Sequence, residues 1–155
     1  MMLFLVTLLS SFSQALLPYP TSPDARLTVG SLCDQAVEYR YPERIKYCGR
    51  DVSTHEKDLV IQAYQRTAGY PILQVGRDKF KIDHYVPLCM GGSNNMNNLW
   101  PQHQSIYVYT DPLEALGCQK LSLGKIKQAA VIALIFQAKK NPALSQRIYQ
   151  VMNAL

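Results

Sequence analysis

The sequence predicts a small mixed α+β domain dominated by helices, and three observations carry that expectation. Phe80 and Ile82 alternate with Lys79, Lys81 and Asp83, so Lys79 to His84 reads as a half-buried strand. Leu59, Val60, Ala63 and Tyr64 follow Ser53-Thr54-His55-Glu56 at helical spacing, and Ser53 with Glu56 forms a capping-box pattern. Beyond Tyr109 the chain is helical in pattern to its end, with the apolar run AAVIALIF at its centre.

The first fifteen residues contain no charged side chain. Leu3 to Leu9 is a short apolar run, followed by Ser-rich sequence and Ser13-Gln14-Ala15. That order predicts a secretory signal cleaved after Ala15, although no Lys or Arg precedes the apolar run. The run falls far short of the ~20 residues a membrane-spanning helix needs. A secreted or periplasmic protein without stable membrane association is therefore expected once the signal is removed.

Residues 16–29 contain Pro and Ser without periodicity and predict an extended arm. Residues 30–155 form the expected single domain, beginning with an irregular, stapled segment from Gly30 to Arg50. A helix of roughly Thr54 to Gln65 comes next, ended by Gly69-Tyr70-Pro71, with His55 as a solvated residue of its first turn. After the strand, Pro87 and Gly91-Gly92 break the chain, and Leu99-Trp100 makes a second short strand before Pro101. Thr110-Asp111-Pro112 resembles a helix start. Gly124 separates that helix from another over Lys125 to Lys140. Asn141-Pro142 stops it, and Ala143 to Leu155 predicts a last helix with Leu144, Ile148 and Val151 inward.

Sixteen Lys and Arg against eleven Asp and Glu give a formal charge of +5 and a sequence pI near 9.0. That sign favours a polyanionic partner without identifying one. Four cysteines in an exported chain allow three pairings. Cys33–Cys48, which closes a short loop, is the preferred bridge and leaves Cys89–Cys118; free buried thiols are the alternative. No Cys-x-x-Cys occurs, so the paired-knuckle pattern of a structural zinc site is missing.

The chemistry concentrates between Lys81 and His103, KIDHYVPLCMGGSNNMNNLWPQH. Hydrolysis of a phosphodiester needs a base near neutrality and positive charge against the departing oxygen, and an imidazole suits the first task. Neighbouring strand residues point to opposite faces, so Asp83 and His84 share one cleft only if the strand ends or bulges there. Pro87 and the glycines offer such an ending. Asn98, fourteen residues after His84, stands where the loop re-enters the second strand and can bond across it. His103 follows five residues later and can offer a neutral nitrogen to a metal. Arg77, Lys79 and Lys81 flank the strand and can track a phosphate backbone, with a solvated strand face as the alternative. Trp100 reads as a core plug more than a stacking platform.

These residues resemble the HNH endonucleases, built on a ββα-metal finger, and most closely the branch with D-H-x-x-P-L-x-x-G-G-S-N followed by N-L-W-P-Q. The resemblance implies a finger core over about 78–123, with His84 as general base, Asp83 as metal ligand and Asn98 as the central Asn. It implies one divalent ion, Mg²⁺ foremost with Mn²⁺ or Zn²⁺ as alternatives, and DNA, or RNA, as substrate. His103 is the remaining expected ligand. The late His of many members falls here on Tyr107, nine residues beyond Asn98. If Asn94 or Asn95 takes the role of the central Asn, His103 stands at the usual spacing instead. The expected function is thus an exported, metal-dependent nuclease. A non-catalytic nucleic-acid-binding module on the same scaffold is the first rival, and a disulfide-stabilised envelope protein the second.

Overall fold

A computed structural model describes residues 17–155; the expected signal, residues 1–15, lies outside the described residues. The architecture is mixed α+β, with two separate two-stranded antiparallel ribbons among helices. Among the described residues no helix is long and apolar enough to cross a membrane.

The segment expected to be irregular holds the first ribbon, β1 (Glu38–Arg40) paired with β2 (Ile45–Tyr47). The cysteines flanking it explain this order: Cys33 is bonded to Cys48, just past β2, so the hairpin ends are tied to the preceding loop. Helix α1 (Thr54–Thr67) starts on the full capping box, with the Ser53 hydroxyl accepting from Glu56 N and the Glu56 carboxylate accepting from Ser53 N. A single helical turn, α2 (Ile72–Val75), leads to β3 (Phe80–His84).

β3 pairs with β4 (Leu99–His103) in the register Phe80↔His103 through Asp83↔Trp100 to His84↔Leu99. The second strand is longer than expected because Pro101 lies inside it. In a two-stranded ribbon alternate N–H groups point away from the partner, and a proline is tolerated there. Phe80, Ile82, Leu99 and Trp100 join Val60, Ile61 and Tyr64 of α1 in one apolar cluster. Trp100 is fully buried, as a core plug should be.

Helix α3 (Gln104–Ser122) begins six residues before the expected start at Thr110. His103 is the reason: its Nδ1 accepts from Ser105 N at 3.2 Å and caps the helix. Pro112 sits in the helix interior, forgoing the bond to the Val108 carbonyl on a side where Pro112 and Val108 both face solvent. Helices α4 (Gln128–Lys140) and α5 (Ser145–Asn153) close a second core with α3, built on Leu113, Leu116, Val131, Ile135, Ile148 and Met152. In α5 the inward stripe is Ser145, Ile148 and Met152, so Val151 turns outward, 51% exposed, contrary to expectation.

Both expected disulfides form. Cys89–Cys118 pins the loop after β3 to the last turns of α3. Replacing both of its cysteines by Ser is expected to lower unfolding free energy by about 3–4 kcal/mol, from the entropy of the released 29-residue loop. Chemical denaturation of oxidised protein with and without the pair measures it.

Candidate active site

The loop from Tyr85 to Asn98 is organised by one side chain. Asn98, fully buried, accepts from Val86 N at 2.8 Å and from Ser31 N at 3.3 Å through Oδ1. It donates through Nδ2 to Val86 O at 3.0 Å and Ser93 O at 2.8 Å. Two glycines permit this closure for different reasons. Gly91 has φ +87°, the left-handed region, whereas a Cβ on Gly92 would lie 1.9 Å from the Val86 carbonyl oxygen. The stapled segment contributes too: Ser93 N donates to Ser31 O and Cys33 N to Gly91 O.

His84 points toward this loop. Its Nε2 lies 3.1 Å from Asn94 Oδ1, and Asn94 Nδ2 donates to Gly49 O at 2.9 Å. The second bond orients the amide, so Nε2 carries the hydrogen and Nδ1 keeps its lone pair. Burial holds the imidazole below its ordinary value of 6.5, with the charges of Arg50 and Lys139 acting in the same direction. The bond to Asn94 and the charge of Asp83 oppose that shift without reversing it. His84 is therefore neutral at pH 7, the form a base requires.

Asp83 does not share that cleft. The strand runs straight through His84, so the two side chains diverge, contrary to the expected bulge. Asp83 Oδ2 receives Lys139 Nζ at 2.8 Å, and the same ammonium donates to His84 O at 2.5 Å and pairs with Glu114 Oε1 at 2.7 Å. Lys81 sits between Asp83 Oδ1 at 3.4 Å and Asp111 Oδ1 at 2.5 Å, with Tyr107 5.1 Å from its ammonium. Two inner carboxylates thus share one fully buried ammonium, and Lys81 supplies the balancing charge at the rim.

That imbalance shifts the pKa of each group. Asp83 is held below the ordinary carboxylate range because Lys139 and Lys81 outweigh its burial. Glu114 is pushed up to about 7, since burial and the Asp83 charge outweigh Lys139. Lys139 is raised by its two carboxylate partners against its own burial. An acid whose folded value exceeds its unfolded value of 4.5 loses stabilisation as pH climbs between the two. The contribution of Glu114 to thermal stability should therefore decline from about pH 4.5 to about pH 7, and Glu114→Gln should remain more stable than wild type, relative to their difference at low pH, as pH climbs through that window. Melting curves across this range, wild type beside variant, check it.

His103 is remote from Asp83. Residues directly across a ribbon share a face, so His103 lies with Phe80, Ile82 and His84, opposite to Asp83 and Trp100. It is also three register positions along, roughly 10 Å. Its ring stacks on Tyr19 at 3.8 Å and meets Phe80 edge-on at 5.1 Å, while Nδ1 serves the helix cap. The expected ligands Asp83 and His103 do not converge, and a divalent ion held by that pair does not fit this arrangement. Among the described residues no group of three or more His, Cys, Asp or Glu side chains could hold a metal ion.

Of the three expected backbone-tracking cations, only Lys79 is exposed and unengaged by a hydrogen bond or ion pair among the described residues. Arg77 Nη1 donates to Phe80 O at 2.7 Å, and Lys81 is held in its ion pairs. Arg50 was not anticipated, yet its exposed guanidinium acts on His84 from the loop that Asn94 tethers. A polar cavity of about 540 Å³ opens beside Asn94, but Asp34, Asp51 and Glu56 line it. A phosphate would be repelled inside it by those carboxylates.

No family model matches this chain, and neither a curated protein nor a solved structure matches it.

Proposed function

We propose that this chain is an exported HNH-type nuclease that hydrolyses phosphodiester bonds of nucleic acid, DNA foremost, with His84 as general base. One observation carries the reading: a buried, neutral imidazole is held in a single tautomer beside a loop that Asn98 closes with four bonds. The succession β3, loop, β4, α3 supports it as the ribbon and helix of a ββα finger. In the proposed step, His84 Nδ1 takes a proton from water and the resulting hydroxide attacks phosphorus in line. The P–O3′ bond breaks, leaving a 5′ phosphate, and the departing oxygen is protonated by solvent. Arg50 would face the charge gathering on the phosphoryl oxygens. A divalent ion, Mg²⁺ in the expectation, would need ligands other than Asp83 with His103, and no step is routed through one. Both disulfides are compatible with work in an oxidising compartment.

The capture of Asp83 by Lys139 favours a second reading, a nucleic-acid-binding module that keeps the finger as scaffold. Purified protein incubated with duplex DNA, single-stranded DNA and RNA separates the two. The nuclease reading expects at least one substrate to be cut with 5′-phosphate ends. Retarded mobility with every substrate intact would replace it by the binding module.

A further inference from the structure

Lys139 sits at i+8 from Val131 and i+4 from Ile135, on the buried stripe of α4, where an unpaired charge would be prohibitive. Three oxygens lie within 2.5–2.8 Å of its ammonium: it donates to the Asp83 carboxylate and the His84 carbonyl, and forms an ion pair with the Glu114 carboxylate. These come from β3 and α3, so the ammonium ties the ribbon to two helices. Its surroundings are those of a bound cation, with hard oxygen donors and net negative charge, and the ammonium itself is not exposed to solvent. The donor distances of 2.5–2.8 Å overlap the upper end of the ~2.3–2.6 Å of calcium–oxygen bonds and extend just above it.

We infer that the Lys139 ammonium is the resident cation of this site, held where a divalent ion on Asp83 would otherwise sit. The Asp83 carboxylate is complete without a metal, and its other face is turned to Lys81. Removing the ammonium leaves two buried carboxylates and a carbonyl aimed at one point, which is a latent site for a hard divalent cation. The inference rests on the nuclease reading only in taking Asp83 as the carboxylate where such an ion is expected.

Calorimetric titration of the full chain with Mg²⁺ and with Ca²⁺, alongside melting curves in chelator, tests it without any need for cleavage. Wild type should bind neither ion at Asp83 and melt identically with and without chelator. Lys139→Ala should melt roughly 6–20 °C lower, bind one Ca²⁺ per chain and recover much of that loss. The added Asp83→Asn change should abolish the binding. Wild type that binds either ion, with binding lost in Asp83→Asn, would overturn the inference, as would a folded Lys139→Ala that binds none. If Lys139→Ala does not fold alone, recovery on refolding with Ca²⁺ supports the assignment and continued failure counts against it. Failure of the nuclease reading would show instead as absent cleavage, leaving these readouts unmoved.

Discussion

Asn98→Ala is expected to destabilise the protein by at least about 3 kcal/mol, more than alanine at any other position of the loop it closes. The alanine leaves the amide hydrogen of Val86 and the carbonyls of Val86 and Ser93 buried without the partners Asn98 gives them. Each orphaned buried group costs about 1–3 kcal/mol, and little room exists for water because Gly92 approaches the Val86 carbonyl so closely. Asn98→Asp is a sharper variant of the same size. It keeps an acceptor for Val86 N but replaces two donor bonds by carboxylate against carbonyl. Both variants should unfold at much lower denaturant concentration than wild type, measured by circular dichroism. An Asn98→Asp protein as stable as wild type would show that the amide does not close the loop.

His84→Ala is expected to lower the cleavage rate about 10²–10⁴-fold while leaving nucleic-acid binding intact. The physical ground is the tautomer. Asn94 accepts the Nε2 hydrogen and is itself fixed by Gly49, so Nδ1 is available as base without a prior rearrangement. Burial lowers the imidazole's proton affinity, so the neutral form persists to lower pH than for a free histidine. Asn94→Ala removes the one hydrogen bond that favours the charged ring, and the active form should extend to still lower pH. It also frees the ring to change tautomer, so the rate at pH 7 should fall, though less than in His84→Ala.

Much of the fold is written in short-range pattern. The capping box at Ser53, the alternation at Phe80 and Ile82, and the apolar spacing of α4 each describe local physics that tertiary contacts reinforce. What stays hidden is set at longer range. The start of α3 depends on an imidazole serving as a cap, a rare choice that Thr110-Asp111-Pro112 outcompetes on pattern alone. The ribbon at Glu38–Tyr47 depends on a disulfide partner fifteen residues away. Within the candidate site, the adjacency of Asp83 and His84 conceals their divergence, because only the register decides whether a strand ends or continues. Lys139 is the one missed residue with a readable signal. A lysine at helical spacing from Val131 and Ile135, in the same apolar stripe, announces a buried charge and hence carboxylate partners. Arg50 carries no such signal, and Asn94 stands in the quoted motif without its bond to His84 showing there, since both roles arise where separate loops meet.

The most direct test is the single-turnover cleavage rate as a function of pH, taken on wild type and His84→Ala with one substrate. A base that must be neutral predicts a rate that rises with pH and levels off, with its midpoint below 6.5 in wild type. The residual rate of the variant should lack that rise. A folded His84→Ala protein that cuts at the wild-type rate with the same pH dependence would contradict the assignment.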